Sequence, residues 1–253
     1  MYPTLIKVGS FQIYSYGLML FLSFLIGTML VENRARKFGV NPEKITNLAL
    51  LTLIMVVIGA RLLYVIFHFS EFANDLIGII AFWRGGLGGL MFFGGFLFAF
   101  IAGIIYVQVN RMPIYKMLDA IAPALVLGEG ITRIGCFLNG CCFGKPTNCF
   151  MGIIFPPHSA AGYQFHIPIH PTQLYSSLAG FILFGIALIL EKKHLKDGVL
   201  FGIILALYSL FRFGIDFVRY YENAANFLVN QIIALVLFIG AVVFVIIRLR
   251  NKN

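Results

Sequence analysis

Three arginines lie inside apolar runs, where a charge is costly. Arg61 sits in Gly59-Ala60-Arg61-Leu62-Leu63-Tyr64, Arg133 in Gly130-Ile131-Thr132-Arg133-Ile134-Gly135, and Arg212 in Tyr208-Ser209-Leu210-Phe211-Arg212-Phe213-Gly214-Ile215-Asp216. A guanidinium in hydrocarbon costs roughly 2.5–3.5 kcal/mol on insertion scales, so a retained arginine implies a compensating anion. Its planar fork binds phosphate oxygens in pairs, which suits a lipid headgroup held in a cationic, water-accessible cavity. Tyr208, Arg212, Asp216 and Arg219 fall at i, i+4, i+8 and i+11, one stripe of a helix. The plainer alternative is local neutralisation, because Asp216 follows Arg212 by four residues and Glu129 precedes Arg133 by four. Arg219 suits a snorkelling role at the outer interface. For Arg133 and Arg212 the functional reading is preferred.

Further groups flank these arginines. The run after Arg133 reads Ile134-Gly135-Cys136-Phe137-Leu138-Asn139-Gly140-Cys141-Cys142-Phe143-Gly144, and a fourth cysteine follows at Cys149. Adjacent cysteines do not match the usual zinc pairs. A bridge on an oxidising outer face and plain packing stand level, and a metal site ranks a distant third. No metal and no cofactor is expected. His170-Pro171-Thr172-Gln173-Leu174-Tyr175 opens an apolar run, with proline where a first helical turn tolerates it. His170 is of the residue type that most often serves as a general base, although a lone interfacial histidine is more often structural. Asp119 is read as an anion at the N-terminus of its own helix. The run from Gly85 to Gly95 serves either close helix packing or a loop of free amides facing a headgroup.

The elements that must position these groups are membrane helices. Sixty per cent of the 253 residues are hydrophobic and 11% are charged, with a mean hydropathy of +0.92. This is the composition of an all-α polytopic membrane bundle. Apolar runs of suitable length predict about seven transmembrane helices, at roughly 14–31, 46–69, 88–109, 117–135, 171–190, 198–219 and 227–247. The piece Ile77–Trp83 is too short to cross and reads as interfacial or re-entrant. The first run lacks a small-residue cleavage site and is read as a retained span. Arg34, Arg36, Lys37, Lys44, Arg111, Lys116, Lys192, Lys193, Lys196, Arg248, Arg250 and Lys252 all fall on one side of such a bundle. The positive-inside rule then puts the N-terminus outside and the C-terminus in the cytoplasm. The net charge of +9 is spread over short loops, so it is no nucleic-acid footprint. The chain reads as one integral membrane domain over 1–253. Its longest outer loop, about 136–170, is rich in proline and carries Tyr163, Phe165 and His166, which suit a small cap resting on the membrane.

In order along nearly the whole chain, these pieces resemble the prolipoprotein diacylglyceryl transferase family of bacterial inner-membrane enzymes. Tyr14-Ser15-Tyr16-Gly17 looks like the family's tyrosine-glycine motif, and Gly59-Ala60-Arg61-Leu62 is similar to its Gly-Gly-Arg-Leu piece. Asp119 to Pro123 followed by Arg133-Ile134-Gly135 resembles the lead-in and core of its signature. The block from His170 to Tyr175 is similar to His-Pro-Ser-Gln-Leu-Tyr. Arg212 to Arg219 is similar to Arg-Phe-x-x-Glu-x-x-Arg, and Gln231 stands where the family has a glutamine. Cys136, Cys141, Phe93 and Ser176 replace, respectively, an asparagine, a glutamate, a histidine and an acid of the common pattern. Together they look like a Gly-Cys-Phe-x-x-Gly-Cys-Cys subgroup.

The resemblance implies transfer of a diacylglyceryl group from phosphatidylglycerol to the lipobox cysteine of a preprolipoprotein signal segment, with glycerol phosphate released. Arg133 and Arg212 would be the catalytic pair. Tyr16, Arg61, Asn139, Gly140, Gly144, Tyr208, Asp216, His170 and Gln173 would bind substrate, Tyr16 and Asn139 directly at the headgroup and Arg61 as support. The base is unassigned, with His170 and Asp216 as candidates. Membrane lipid is the expected surrounding, and no nucleic acid is expected as a partner. Phe93 and Cys141 also admit a paralogue with another acceptor. A non-catalytic membrane protein using the arginines as an anion site is the third reading, although the sequence shows no repeated half of the kind transporters carry.

Overall fold

A computed structural model describes residues 2–8, 11–72, 76–80 and 91–250. A two-stranded antiparallel hairpin, β1 (Thr4–Val8) and β2 (Phe11–Tyr14), precedes the helices. The helices are α1 (Ser15–Arg36), α2 (Pro42–Phe67), α3 (Leu76–Ile80), α4 (Phe92–Val109), α5 (Ile114–Asn139), α6 (Ala160–Gln164), α7 (Thr172–Glu191), α8 (Val199–Ile215) and α9 (Ala224–Arg250). Five of them, α1, α2, α5, α7 and α9, are long and apolar enough to cross a bilayer, and α4 and α8 are shorter apolar helices. The chain is therefore a multi-pass membrane helix bundle. The hairpin is an addition to the all-helical expectation. β-Branched and aromatic residues flank Gly9-Ser10 there, and Ser15 donates from its backbone N–H and its hydroxyl to the Pro3 carbonyl.

The chain forms two compact units, residues 1–31 with 115–253, and residues 32–114. In the second, α2 and α4 cross where side chains are absent. A methyl on Gly59 would lie 2.5 Å from the Gly94 carbonyl, and one on Gly95 2.8 Å from the Val56 carbonyl. Gly94 and Gly95 thus carry out close helix packing. The rest of the glycine run, from Gly85 to Leu90, lies outside the described residues, as do Trp83 and Arg84.

In the first unit, α5, α7 and α8 share a core of Ala122, Val126, Leu183, Ala187, Leu200 and Ile204. A Cβ on Gly180 would stand 2.8 Å from the Gly130 Cα, so α5 and α7 touch backbone to backbone, and Ser177 donates to the Gly130 carbonyl at 2.8 Å. On the α1 side, a Cβ on Gly135 would meet the Met19 Cβ at 2.9 Å, and Ser23 bonds across to Gly128 and Thr132. Small residues replace the missing hydrophobic drive between helices in lipid by letting backbones approach.

Two expectations need correction. Helix α8 ends at Ile215 rather than near residue 219, so Arg219 leaves the helical stripe and pairs through its backbone with Gly144. Asp119 does serve a helix N-terminus, but that of α8 and not of its own helix. Its two carboxylate oxygens accept from the backbone N–H of Gly198 at 2.6 Å and of Phe201 at 2.8 Å, where orphan amides and the helix dipole favour an anion.

Residues 140–171 form a cap with its own core of Phe155, Ala161 and Ile169. Phe143 and Phe165 join Tyr220 in a cluster of stacked and edge-on rings. The cap also turns apolar side chains outward, with Phe150 92% and Tyr163 83% exposed, as suits a segment lying on a membrane surface.

Candidate active site

Helix α5 carries Glu129, Arg133, Cys136 and Asn139 along its last three turns. Arg133 Nε donates to Glu129 Oε1 at 2.8 Å, with the two side chains 16% and 25% exposed. The local pair seen in the spacing therefore forms. It uses only Nε, and among the described residues the two terminal nitrogens of Arg133 have no hydrogen-bond acceptor. The fork remains available for a second anion, in the geometry that binds phosphate. Across from it on α8, Tyr208 donates to Glu129 Oε1 at 3.5 Å. A cleft of about 240 Å³ runs from this polar head between α5 and α8, lined by Leu125, Val126, Phe201, Ile204 and Leu205. The cleft ends at Glu129 and Tyr208, and an apolar slot whose polar end is tied to an arginine suits an amphiphile with an anionic head.

Arg212 is more fully committed within the protein. One terminal nitrogen pairs with Asp216 Oδ1 at 3.0 Å, and the other donates to the Tyr221 hydroxyl at 3.1 Å and to Asn230 Oδ1 at 3.3 Å. Tyr221 in turn donates to Asp216 Oδ1 at 2.7 Å. Asp216 is fully buried, and its Oδ2 has no partner among the described residues. Tyr208 lies within electrostatic reach of both guanidinium groups. Tyr16, near the start of α1, faces the same neighbourhood, within reach of Arg133 and of three cysteines.

The end of α5 explains the cysteines. Gly140 takes a left-handed φ of 75°, Gly140 N–H bonds to the Phe137 carbonyl, and Cys141 N–H bonds back to the Cys136 carbonyl. This is a glycine-terminated helix end. Cys142 is left-handed too, at φ 61°. The turn folds back, and the sulfurs of Cys136, Cys141 and Cys142 come within 4.8 Å of one another. All four cysteines are unbridged, and Cys149 is exposed away from the cluster. Asn139 lies within electrostatic reach of Cys141. Hydrogen bonds from Cys136 and Cys141 hold the Cys142 thiol below the ordinary thiol range, and Arg219 and Arg133 add to the effect.

The remaining expected residues have structural work in plain view. Gln173, fully buried, donates to the Cys141 carbonyl at 2.7 Å, and Thr172 to the Cys142 carbonyl at 2.9 Å. Gly144 lies so close to His170 that a Cβ would meet its Cβ at 2.6 Å, and its N–H donates to the His170 carbonyl. The Gly140 carbonyl accepts from Ala161 in the cap. His170 Nδ1 sits 3.3 Å from the Tyr175 hydroxyl, a hydrogen-bonded interfacial histidine. Arg61 belongs to the other unit, where it donates to the Ile79 and Gly78 carbonyls and lies over the Phe72 ring, pinning α3. Phe93, also in that unit, stands near the start of α4 and is 60% exposed. Tyr221 and Asn230 escaped the sequence reading. Tyr221 is off any helix, but Asn230 beside Gln231 in an apolar run was a usable signal.

Comparison with known proteins places this arrangement in context. The family described as prolipoprotein diacylglyceryl transferase matches residues 3–247. A Clostridium tetani protein named phosphatidylglycerol–prolipoprotein diacylglyceryl transferase is 32% identical over 257 residues, covering all of both chains. A Trichormus variabilis protein of the same name is 34% identical, over 86% of this chain and 78% of its own. A second such transferase of Clostridium perfringens is 30% identical over 93% and 91%.

Proposed function

Because the chain belongs to the prolipoprotein diacylglyceryl transferase family, we propose that it moves the diacylglyceryl group of phosphatidylglycerol to the lipobox cysteine of preprolipoprotein signal segments. It works as a multi-pass protein of the bacterial inner membrane. Counting α4 and α8 with the five longer helices gives seven crossings, and the basic residues put the N-terminus outside and the C-terminus in the cytoplasm. Residues 1–253 act as one membrane domain with its cap over the outer end of α5.

The observation that carries the reading is an apolar cleft whose polar end is Glu129, the residue that Arg133 engages through Nε alone. Lipid chains occupy the cleft, and the phosphate meets the free fork. The acceptor thiol gives its proton to water, and its sulfur bonds to the glyceryl carbon. The carbon–oxygen bond to phosphate breaks, and the electron pair leaves with glycerol phosphate. Fixed donors aimed at that oxygen stabilise the transition state without reorganising. Arg133 fills this role directly. Arg212, held by Asp216, Tyr221 and Asn230, adds a fixed positive charge nearby. Tyr16, Tyr208 and Asn139 offer hydrogen bonds to the headgroup, and Gly140, Gly144, His170 and Gln173 hold the cap that roofs it.

The test uses the protein in liposomes with labelled phosphatidylglycerol and a lipobox peptide. Label on the peptide and free glycerol phosphate should appear together, and both should require the peptide's cysteine. Folded protein that produces neither would overturn the reading.

A further inference from the structure

We propose that Cys136, Cys141 and Cys142 form a three-sulfur site for one thiophilic divalent cation, Zn²⁺ by its chemistry, whose open fourth position takes the acceptor thiol. The second half of this inference rests on the transferase reading; the first does not.

The geometry favours a metal over a bridge. The three sulfurs lie within 4.8 Å of one another. Tetrahedral zinc with Zn–S bonds of about 2.3 Å needs them roughly 3.8 Å apart, an inward movement of about 1 Å at most. A disulfide joins only two sulfurs, at about 2.05 Å, and leaves the third with nothing to do. The loop is also held in this arrangement against its own preference. Cys142 occupies the left-handed region without being glycine, which costs energy unless the surroundings enforce it. Thr172 and Gln173, both buried, enforce it by gripping the Cys142 and Cys141 carbonyls. Spacing alone hid this, because the helix end brings positions i, i+5 and i+6 together.

The setting also suits a cation. The cluster lies at the C-terminal end of α5, the negative end of the helix dipole. An all-sulfur donor set selects soft metals such as zinc. A tris-thiolate zinc centre carries one net negative charge, and Arg133 and Arg219 lie within electrostatic reach of Cys142. Among the described residues no histidine or carboxylate completes the set, so the coordination is three protein ligands with one position open, the pattern of catalytic rather than structural zinc. Cys136 is buried, whereas Cys141 and Cys142 are half-buried, which leaves one side accessible.

The open position answers a chemical need. Alkylation of a cysteine requires a thiolate, whereas a free thiol is mostly protonated at neutral pH. A thiol that coordinates the metal gives its proton to water. Its sulfur then forms the carbon–sulfur bond as the carbon–oxygen bond to phosphate breaks, and the metal keeps its oxidation state throughout. Sulfur at the metal and phosphate at Arg133 would be neighbours.

The test begins with full-length protein purified in detergent under reducing conditions without chelator. Elemental analysis should find one zinc per chain, and Co²⁺ exchanged into the wild type should show sulfur-to-cobalt charge-transfer absorption. Cys136→Ser, Cys141→Ser and Cys142→Ser should each weaken Co²⁺ binding by at least about 10²-fold, and Cys149→Ser should leave it unchanged. A lipobox peptide should shift the cobalt spectrum, and its Cys→Ser version should not. Wild-type protein without stoichiometric metal or without the charge-transfer band overturns the site, and so does equal loss in Cys149→Ser. A spectrum indifferent to the thiol peptide overturns the open-position role. Metal bound and responsive to the thiol with no label transfer leaves the site standing and defeats the transferase reading. Full transfer by chelated, metal-free protein leaves the transferase reading standing and overturns the open-position role.

Discussion

Replacing Arg133 by lysine keeps the charge and removes the fork, which separates the two things an arginine can contribute here. In the wild type Nε is tied to Glu129 at 2.8 Å, which leaves two terminal nitrogens for phosphate. A lysine ammonium can serve Glu129 or the phosphate but cannot grip both. The loss is one to two hydrogen bonds between charged groups, each about 1.5–3 kcal/mol. Taking about 3 kcal/mol at 1.36 kcal/mol per tenfold gives a fall in kcat/KM of roughly 10²-fold. Glu129→Gln keeps the fork and only loosens its tether, so it should cost nearer 10-fold, corresponding to about 1.4 kcal/mol. Arg133→Ala loses every donor and leaves Glu129 without its counter-charge, and transfer should vanish while the protein still inserts. The assay is label transfer from phosphatidylglycerol to a lipobox peptide in liposomes, with thermal unfolding run alongside. Arg133→Lys within threefold of the wild type at equal stability would refute the reasoning. If Glu129→Gln were the more damaging change, the carboxylate and not the fork would be the acting group.

Four other changes probe the framework. Arg212→Ala should abolish transfer in protein that still reaches the membrane; full activity would remove Arg212 from the catalytic pair. Tyr221→Phe loses the 2.7 Å bond to Asp216 and should cost about 1–2 kcal/mol in unfolding. Burial, and then the bond to Asp216, raises the Tyr221 pKa. Its stabilisation is therefore complete below the ordinary tyrosine pKa and is lost as pH rises through the folded value, so an alkaline unfolding series should lose that decline in the phenylalanine variant. Asp119→Ala frees the amides of Gly198 and Phe201 and should lower stability by about 1–2 kcal/mol, read as a drop in Tm with transfer per folded molecule retained. Gly180→Ala forces a methyl against Gly130 and should destabilise by about 1–3 kcal/mol through overpacking, seen in the same melt.

Local signals carried most of the helices. Apolar runs of membrane length were visible wherever they occurred, and each of the seven expected segments contains a helix, with ends moved by a few residues. The stripe on α8 failed at Arg219 because Asp216 closes the helix, and residue periodicity does not report where a chain turns. The Glu129–Arg133 and Arg212–Asp216 pairs were legible because four-residue spacing is itself the contact. Asp119 was assigned to the wrong helix because a carboxylate near one helix start can reach another that sequence distance hides. The closeness of the three sulfurs was hidden for a related reason: ligand spacing rules describe known loops, and this one depends on two left-handed residues at a helix end.

The two ways in which α5 settles its charges differ in time. Glu129 and Arg133 are one turn apart, so they can neutralise each other as soon as that stretch of helix leaves the ribosome. Asp119 follows Lys116 by three residues on the same helix, but the amides that it accepts from lie 79 and 82 residues further along the chain. At about 5–20 residues per second, translation needs roughly 4–16 s to deliver them. During that interval only water and Lys116 can meet the Asp119 carboxylate, which favours keeping that end of α5 at the aqueous surface until α8 arrives. The contact between Asp119 and α8 therefore forms late in biogenesis, only after the third of the three core helices has been made.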